Sequence, residues 1–223
     1  DWYDIRNDPR YLRHKGKPLV GIWGFGFGDR PGTPAIAAQV IDFFRNDPVY
    51  GGNTIMGGVP TSWRNNATWA SVFRSFDIIS PWTVGSYNAS TNSINNSRNN
   101  ITVPDLAECN SLGIDYLQVV WPGFSWDNLM NLPPGTSNFP RNGGQFFWDQ
   151  ANAFQGAGVQ MMKIAMFDEG AESTAILKVT TNHPVTDNWI DYGTLPTDWY
   201  LRLAGAATQM LRKALLHDLL THG

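Results

Sequence analysis

Residues 16–48, GKPLVGIWGFGFGDRPGTPAIAAQVIDFFRNDP, contain the pattern that decides the fold. The apolar, β-prone run 19–27 opens into a glycine-rich loop, which is typical of a buried strand. Thr33 and Pro34 are residue types that cap and begin a helix, and apolar residues then recur at helical spacing until the next proline. The stretch therefore predicts one strand followed by one helix.

The same alternation recurs along the rest of the chain. Apolar runs predict four more strands, at 53–59, 76–82, 114–121 and 159–167, with helical patterns between them and after the last. Five strands alternating with helices favour an α/β fold with a parallel sheet. A closed (β/α)8 barrel needs eight strands and about 250 residues, so the chain is either an open sheet or part of a barrel.

We favour a (β/α)8 TIM-barrel type, with residues 1–223 forming the carboxyl-terminal part of one domain. In such a part, the first and last predicted strands would each lack a neighbour on one side. We therefore expect an amino-terminal segment, on this polypeptide or on a second chain, to complete the barrel.

Composition and charge exclude several classes of protein. The net charge is -3 and no basic stripe occurs, so we expect no nucleic-acid partner. No apolar stretch approaches ~20 residues, so we expect no membrane span. The chain has no zinc spacing of His, no Asp-rich calcium loop and no dinucleotide or P-loop pattern, so we predict no metal and no cofactor. Its one cysteine, Cys109, is either a buried thiol or a bridge to another chain.

Four Asn-x-Ser/Thr sequons indicate a secreted glycoprotein. Three of them fall in the polar run SYNASTNSINNSRNNIT, which we predict to be an exposed loop before a helix. The candidate glycosylation sites are Asn66, Asn88, Asn95 and Asn100.

Residues 164–174, IAMFDEGAEST, place three carboxylates directly after the last predicted strand. Side chains alternate along a strand, so in a barrel Glu169 would point to the mouth and Asp168 to the outer helices. A glycine follows, and Glu172 can return over the same cavity. Two carboxylates at one mouth can supply the proton donor and the base for glycosidic bond cleavage. The alternative is that these acids cap a helix or pair with Arg or Lys.

Aromatic residues at the predicted strand ends are candidate flat platforms for sugar rings. The chain has 10 Trp and 12 Phe, and core packing is the alternative explanation for each ring. The candidates are Trp23, Phe25, Trp82, Trp121, Phe124 and Trp126.

Several motifs, taken in their order, resemble the glycoside hydrolase family 71/99-like group, many members of which carry the label xylosidase/arabinosidase. The resemblance covers nearly the whole chain, and its motifs are GKPLVGIWGFGF, FDIISPWTVG, YLQVVWPGFSWDN, PRNGGQFFWDQ, FDEGAEST and LPTDWYLRLAG. Family 99 enzymes are retaining endo-α-mannosidases on a (β/α)8 barrel. The resemblance implies that this chain covers strands four to eight of such a barrel.

The resemblance also implies roles for single residues. FDEGAEST aligns without a gap to the family pattern Phe-Asn-Glu-Trp-His-Glu-Gly-Thr, which makes Glu169 the base and Glu172 the general acid/base. A family Arg matches Arg141, which would bind sugar hydroxyls or neutralise the carboxylates. Where the family has Asn, Trp, His and Gly, this chain has Asp168, Gly170, Ala171 and Ser173, so mannose specificity is not implied.

These patterns together predict a secreted glycoside hydrolase that acts on an oligo- or polysaccharide, with carbohydrate as its partner. The main alternative is a non-catalytic, lectin-like carbohydrate-binding protein on the same fold, and a structural or storage glycoprotein without a cleft is a third. The carboxylates distinguish them, because hydrolysis requires Glu169 and Glu172 to reach one cavity, with one pKa raised for the acid role.

Overall fold

The computed structural model describes residues 5–180, 182 and 188–222, with side chains up to residue 216. The chain divides into two compact units. Unit 1 comprises Asp1–Trp82 and Asp105–Leu117, and unit 2 comprises Thr83–Pro104 and Gln118–Gly223. The single domain expected from the sequence is not tested by this division and stays a prediction.

Strands and helices alternate along the first half of the chain, with short 3₁₀ turns at Ile5–Asn7 and Trp63–Asn65. The strands are β1 (Arg13–His14), β2 (Lys17–Trp23), β3 (Thr54–Val59) and β4 (Ile78–Pro81). The helices are α1 (Pro34–Asn46), α2 (Ala70–Phe73), α3 (Thr91–Ser97) and, after a π-helical turn at Arg98–Thr102, α4 (Val103–Leu112).

The second half continues the alternation and adds a small hairpin. Its strands are β5 (Asp115–Val120), β6 (Phe124–Ser125), β7 (Asn138–Phe139) and β8 (Met161–Ile164). Its helices are α5 (Trp126–Leu129), α6 (Gln145–Gln155), which follows a 3₁₀ turn at Asn142–Gly144, and α7 (Trp199–His222).

The parallel sheet predicted from the sequence is present in unit 1. There β2 pairs with β3, β3 with β4 and β4 with the first residues of β5, all in parallel, while β1 pairs antiparallel with β2. In unit 2 the last residues of β5 are followed in the sheet by β8, and Ala165 N donates to Val120 O at 2.9 Å. All five predicted strands are thus present, although the first ends at Trp23 rather than at 27 and the last spans Met161–Ile164 rather than 159–167.

Helix α1 begins where the sequence indicates. Thr33 has an extended backbone conformation and its Oγ1 accepts a hydrogen bond from Ile36 N at 3.3 Å, and Pro34 is the first helical residue. One face of the helix buries Ala37 and Ile41 against the sheet. This cap satisfies one of the backbone N–H groups that every helix leaves unpaired at its start.

The predicted sequon loop is wrong as a structure, because most of it is helical. Ser90 caps α3, accepting from Ser93 N at 3.2 Å, and the chain stays helical through the π turn into α4. Ile94 and Thr102 are buried, so one side of this polar run packs into the protein interior. The polar composition of the run does not indicate this burial. Of the sequon asparagines, Asn88 precedes α3 and Asn66 ends a 3₁₀ turn, and Asn95 and Asn100 lie in the helical stretch.

Trp121 lies at the centre of the unit 2 core. Its ring packs edge-on against Phe139 and Phe146, at centroid distances of 5.3 and 4.7 Å. The buried amide of Gln150 fixes the backbone of Trp121. Its Oε1 accepts hydrogen bonds from Trp121 N at 3.1 Å and from the Tyr87 hydroxyl at 2.8 Å. The start of the loop after β5 is therefore tied to helix α6.

Cys109 is buried in unit 1, where burial raises the pKa of its thiol to about 12, and this agrees with the buried-thiol alternative.

No helix in the described part of the chain combines the length and apolar character needed to cross a membrane.

Candidate functional site

The segment that carries the carboxylates, residues 165–177, folds back on itself and is called the carboxylate loop below. Ala175 N donates to Glu169 O at 2.9 Å, and Met166 N donates to Thr174 O at 3.1 Å. The turn is closed by Ser173, which has φ +55° and donates its N–H to Gly170 O at 2.9 Å. Both glutamates thus lie at the tip of one short hairpin that follows β8.

Both glutamates are partly buried, and the charge of Glu169 acts on Glu172. Burial raises the pKa of Glu172, and the nearby negative charge of Glu169 raises it further. Glu169 Oε1 accepts a hydrogen bond from Ala171 N at 2.9 Å. Within the described ranges no Arg or Lys forms a salt bridge with either glutamate, so the ion-pair alternative finds no support there.

Two contacts hold the tip of the carboxylate loop against the segment that follows β5. Ser125 N donates to Glu172 O at 2.8 Å, and Asn128 Nδ2 donates to Ala171 O at 2.7 Å. Ser125 and Asn128 lie at the start of α5, where the Ser125 hydroxyl also accepts from Asn128 N at 3.1 Å. The backbone of Glu172 is therefore fixed by a neighbouring loop of the same unit.

Arg141 fixes the other end of the carboxylate loop. Its Nη2 donates to Ser173 O at 2.7 Å and to Ala175 O at 2.8 Å, and only 4% of the residue is exposed. The guanidinium lies over the rings of Tyr192 and Tyr200, at 4.9 and 4.6 Å from their centroids. Burial lowers its pKa. Arg141 thus binds backbone carbonyls through Nε and Nη2, while its buried Nη1 has no hydrogen-bond partner among the described residues. The roles expected for it, in sugar binding or in neutralising the carboxylates, stay predictions.

Asp127, which was not among the predicted site residues, organises the segment between α5 and β7. This buried carboxylate accepts from Gly135 N at 2.7 Å, Ser137 N at 2.6 Å and Asn138 Nδ2 at 2.7 Å. The signal that could have found it is the turn-rich run NLPPGTSN, whose backbone N–H groups need a nearby acceptor. Asp127 thus ties residues 135–138 to α5, and Ser125 and Asn128 at the start of α5 contact the glutamate tip.

A pocket of about 330 Å³ lies beside the carboxylate loop. Gly170, Ser173 and Ala175 contribute one wall, and neither Glu169 nor Glu172 lines it. The other lining residues are mostly apolar: Arg141, Val179, Thr180, Trp189, Ile190, Asp191 and Tyr192. The sequence does not predict this pocket, because residues 179–192 contain no recognisable motif.

Of the predicted platforms in unit 2, only one has an exposed ring. Trp121 and Phe124 are buried, so for these two the structure favours the packing alternative and corrects the platform prediction. Trp126 is 37% exposed and packs against Phe124 at a centroid distance of 4.8 Å. Trp126 therefore remains a candidate platform.

The predicted platforms of unit 1 form an aromatic cluster at the ends of β2 and β4. Trp23 is 41% exposed and contacts Phe27 at 4.6 Å and Trp82 at 5.7 Å between ring centroids, with Arg30 lying over its ring at 5.2 Å. Phe25 is partly buried and stacks on neighbouring rings. Trp23 and Trp82 thus keep an open aromatic surface within unit 1.

Among the residues whose placement is described, no group of three or more His, Cys, Asp or Glu side chains could hold a metal ion.

Two solved structures have the same fold as this chain over most of its length. Both are of a GH99 endo-α-mannosidase from Bacteroides thetaiotaomicron. The first has a TM-score of 0.67 and 18% identity, with 93% of this chain and 58% of that chain covered. The second, in complex with Bis-Tris-propane, also has a TM-score of 0.67 and 18% identity, with 95% and 63% covered. No protein-family model and no curated protein matches the chain.

The comparison confirms the fold class expected from the sequence, a (β/α)8 TIM-barrel type of which this chain is a part. It also confirms the distant similarity to family 99 enzymes. The chain spans less than two thirds of the length of the solved chains that it matches, namely 58% and 63%.

Proposed function

We propose that the protein is a glycoside hydrolase in which Glu172 is the general acid and Glu169 the base. The observation that carries this proposal is the geometry of the carboxylate loop. It follows the last strand and holds both glutamates at the tip of one hairpin, with the pKa of Glu172 raised by burial and by the charge of Glu169. In (β/α)8 enzymes the loops after the strands carry the reacting groups.

The chemistry follows from the raised pKa of Glu172. Glu172, which holds its proton more tightly than an ordinary carboxyl, donates it to the glycosidic oxygen as the bond to the leaving sugar breaks. Glu169 accepts the proton of the neighbouring sugar hydroxyl, whose oxygen forms a bond to the anomeric carbon as the bond to the leaving sugar breaks. The backbone of the carboxylate loop is held by Ser125, Asn128 and Arg141, and this restricts where the two glutamate side chains can lie. Water then attacks the anomeric carbon and breaks its bond to the sugar hydroxyl oxygen. Its hydroxyl stays on the new reducing end, its proton goes to Glu172, and Glu169 returns its proton to the sugar oxygen.

The substrate is an oligo- or polysaccharide. In unit 2 the exposed ring of Trp126 offers a flat apolar face of the kind that binds sugar rings, and in unit 1 the exposed ring of Trp23 does so beside the partly buried Trp82. The structurally similar enzymes are named endo-α-mannosidases. Gly170 and Ala171 stand where the family pattern has Trp and His, so the sugar need not be mannose.

The test is a screen of cleavage with the protein expressed from its complete coding sequence. Neutral tetrasaccharides of α-linked mannose, α-linked glucose and β-linked xylose are incubated with the protein, and new reducing ends are counted. The proposal expects cleavage of at least one glycan. Tight binding without any cleavage would instead support the lectin-like alternative, which shares the same aromatic surfaces.

Replacement of Glu169 by Gln is expected to lower the pKa of Glu172. Removing the neighbouring negative charge makes ionisation of Glu172 easier, while its burial keeps part of the upward shift. Carboxyl ¹³C chemical shifts of labelled Glu, followed by NMR from pH 3 to 8, report this titration. A Glu172 pKa that stays the same in the variant would mean that the two carboxylates are not coupled, and the acid/base pair would lose its basis.

Secretion and glycosylation are also part of the proposal, and they rest on the four sequons. Two of them are exposed: Asn88, in a turn before α3, and Asn100, in the π-helical turn. We expect the protein isolated from its natural source to lose mass on treatment with an asparagine-specific deglycosidase. An unchanged mass would show that the sequons are unused.

A further inference from the structure

Trp189 places an exposed indole directly beside the loop that carries the two glutamates. It is 38% exposed, and a Cβ atom built on Gly170 would lie 3.5 Å from its Cζ3 and 3.8 Å from its Cη2. Gly170 stands between Glu169 and Glu172 in the sequence. Since this glycine has no side chain, nothing from position 170 covers the edge of the indole.

The backbone on both sides of Trp189 is fixed. Before it, Asn188 O accepts a hydrogen bond from the Ser125 hydroxyl at 2.8 Å. After it, Ile190 O accepts from Arg141 Nε at 3.0 Å. Both donors belong to the frame that also holds the carboxylate loop. An exposed aromatic ring on a fixed backbone loses little conformational freedom on binding, which favours affinity.

The pocket that Trp189 helps to line suits an uncharged ring. Its walls are mainly apolar, and they include Ile190 and Tyr192, which follow Trp189 closely in the sequence. Arg141, a cationic side chain of the lining, donates to three carbonyl oxygens through Nε and Nη2, and its buried Nη1 has no hydrogen-bond partner in the part of the chain that the structure describes. Asp191 adds a carboxylate, which disfavours an anionic ligand.

We propose that Trp189 is a substrate-binding residue whose indole carries a neutral sugar ring adjacent to the bond that the glutamates act on. The inference rests on the proposed function, and it assigns the pocket beside the carboxylate loop to the same glycan. No sequence motif marks Trp189, and its role follows from its place beside Gly170 and from the apolar walls around it.

Binding to an inactive protein tests the inference. In the Glu172→Gln background, calorimetric Kd values are measured for the neutral tetrasaccharides of mannose, glucose and xylose described above. Trp189→Leu keeps an apolar side chain but removes the flat face, and we expect it to raise the Kd of the bound glycan ~10-fold or more. Trp189→Phe keeps a ring and should lose less. Phe43→Ala, at an exposed ring of helix α1 in unit 1, is the control and should leave Kd unchanged.

Gly170→Val supplies an independent variant, because its side chain would cover the indole edge without altering Trp189. It should weaken binding of the same glycan while the melting temperature stays close to that of the parent. If Trp189→Leu does not fold, Trp189→Phe and Gly170→Val decide the matter. A Kd that stays within twofold in folded variants, or no binding of any of the three glycans, overturns the inference.

The outcome for Trp189 is separable from that for the glutamates. If the wild-type protein cleaves a glycan and the Trp189 variants keep Kd and KM unchanged, the inference fails and the proposed function stands. If the protein binds a glycan without cleaving it and Trp189→Leu abolishes binding, the proposed function fails and Trp189 remains a binding residue.

Discussion

Replacing Glu172 by Gln is expected to lower kcat for an unactivated glycan by ~10²–10⁴ and to leave Kd nearly unchanged. The amide has the shape of the protonated acid but cannot donate a proton to the departing oxygen. Steady-state rates of reducing-end release give kcat, and calorimetry gives Kd. The backbone of Glu172 is held by Ser125 N, a contact that the substitution does not touch.

Asp168→Asn is the matched control for this variant. It removes one negative charge from the same loop, but Asp168 is exposed and has no part in the proposed chemistry. Its kcat should stay close to that of the parent. A substrate with a dinitrophenyl leaving group, which needs no proton, should restore part of the activity of Glu172→Gln. Equal turnover of parent and Glu172→Gln on the unactivated glycan would remove Glu172 from the mechanism.

Replacing Trp121 by Ala is expected to cost about 3–5 kcal/mol of folding free energy. The ring is fully buried between Tyr87, Phe139 and Phe146, so its removal leaves a large cavity in the unit 2 core. Equilibrium unfolding in urea measures the change through the transition midpoint.

Trp126→Ala is the control for stability, since it removes the same side chain five positions later from a partly exposed place. It should cost much less than Trp121→Ala. Similar losses for the two variants would contradict the assignment of Trp121 to the core and Trp126 to the surface.

The strands and helix α1 could be predicted because their signals are local. Thr33 and Pro34 favour a helix start through their own side chains, independently of distant contacts. A continuous apolar run indicates a strand that is buried on both faces. The glutamate pair could be predicted for the same reason, because it follows directly on such a run. What these signals leave open is where a segment packs.

Tertiary contacts decided the features that the sequence did not reveal. Arg141 binds carbonyl oxygens 32 and 34 residues away, and backbone carbonyls leave no trace in side-chain patterns. The polar run before α4 is helical because Ile94 and Thr102 are buried, the latter against Gln118 at 2.7 Å. Trp189 was overlooked because its neighbours in space, not in sequence, place it beside Gly170.

Simultaneous measurement of binding and cleavage on one glycan tests the central claim most directly. Wild-type protein and the Glu172→Gln variant are titrated with the same neutral tetrasaccharide, and each sample is then assayed for new reducing ends. The account predicts that both bind with similar Kd and that only the wild type cleaves the glycan at an appreciable rate. Binding without cleavage by the wild type, or equal cleavage by both, would contradict it.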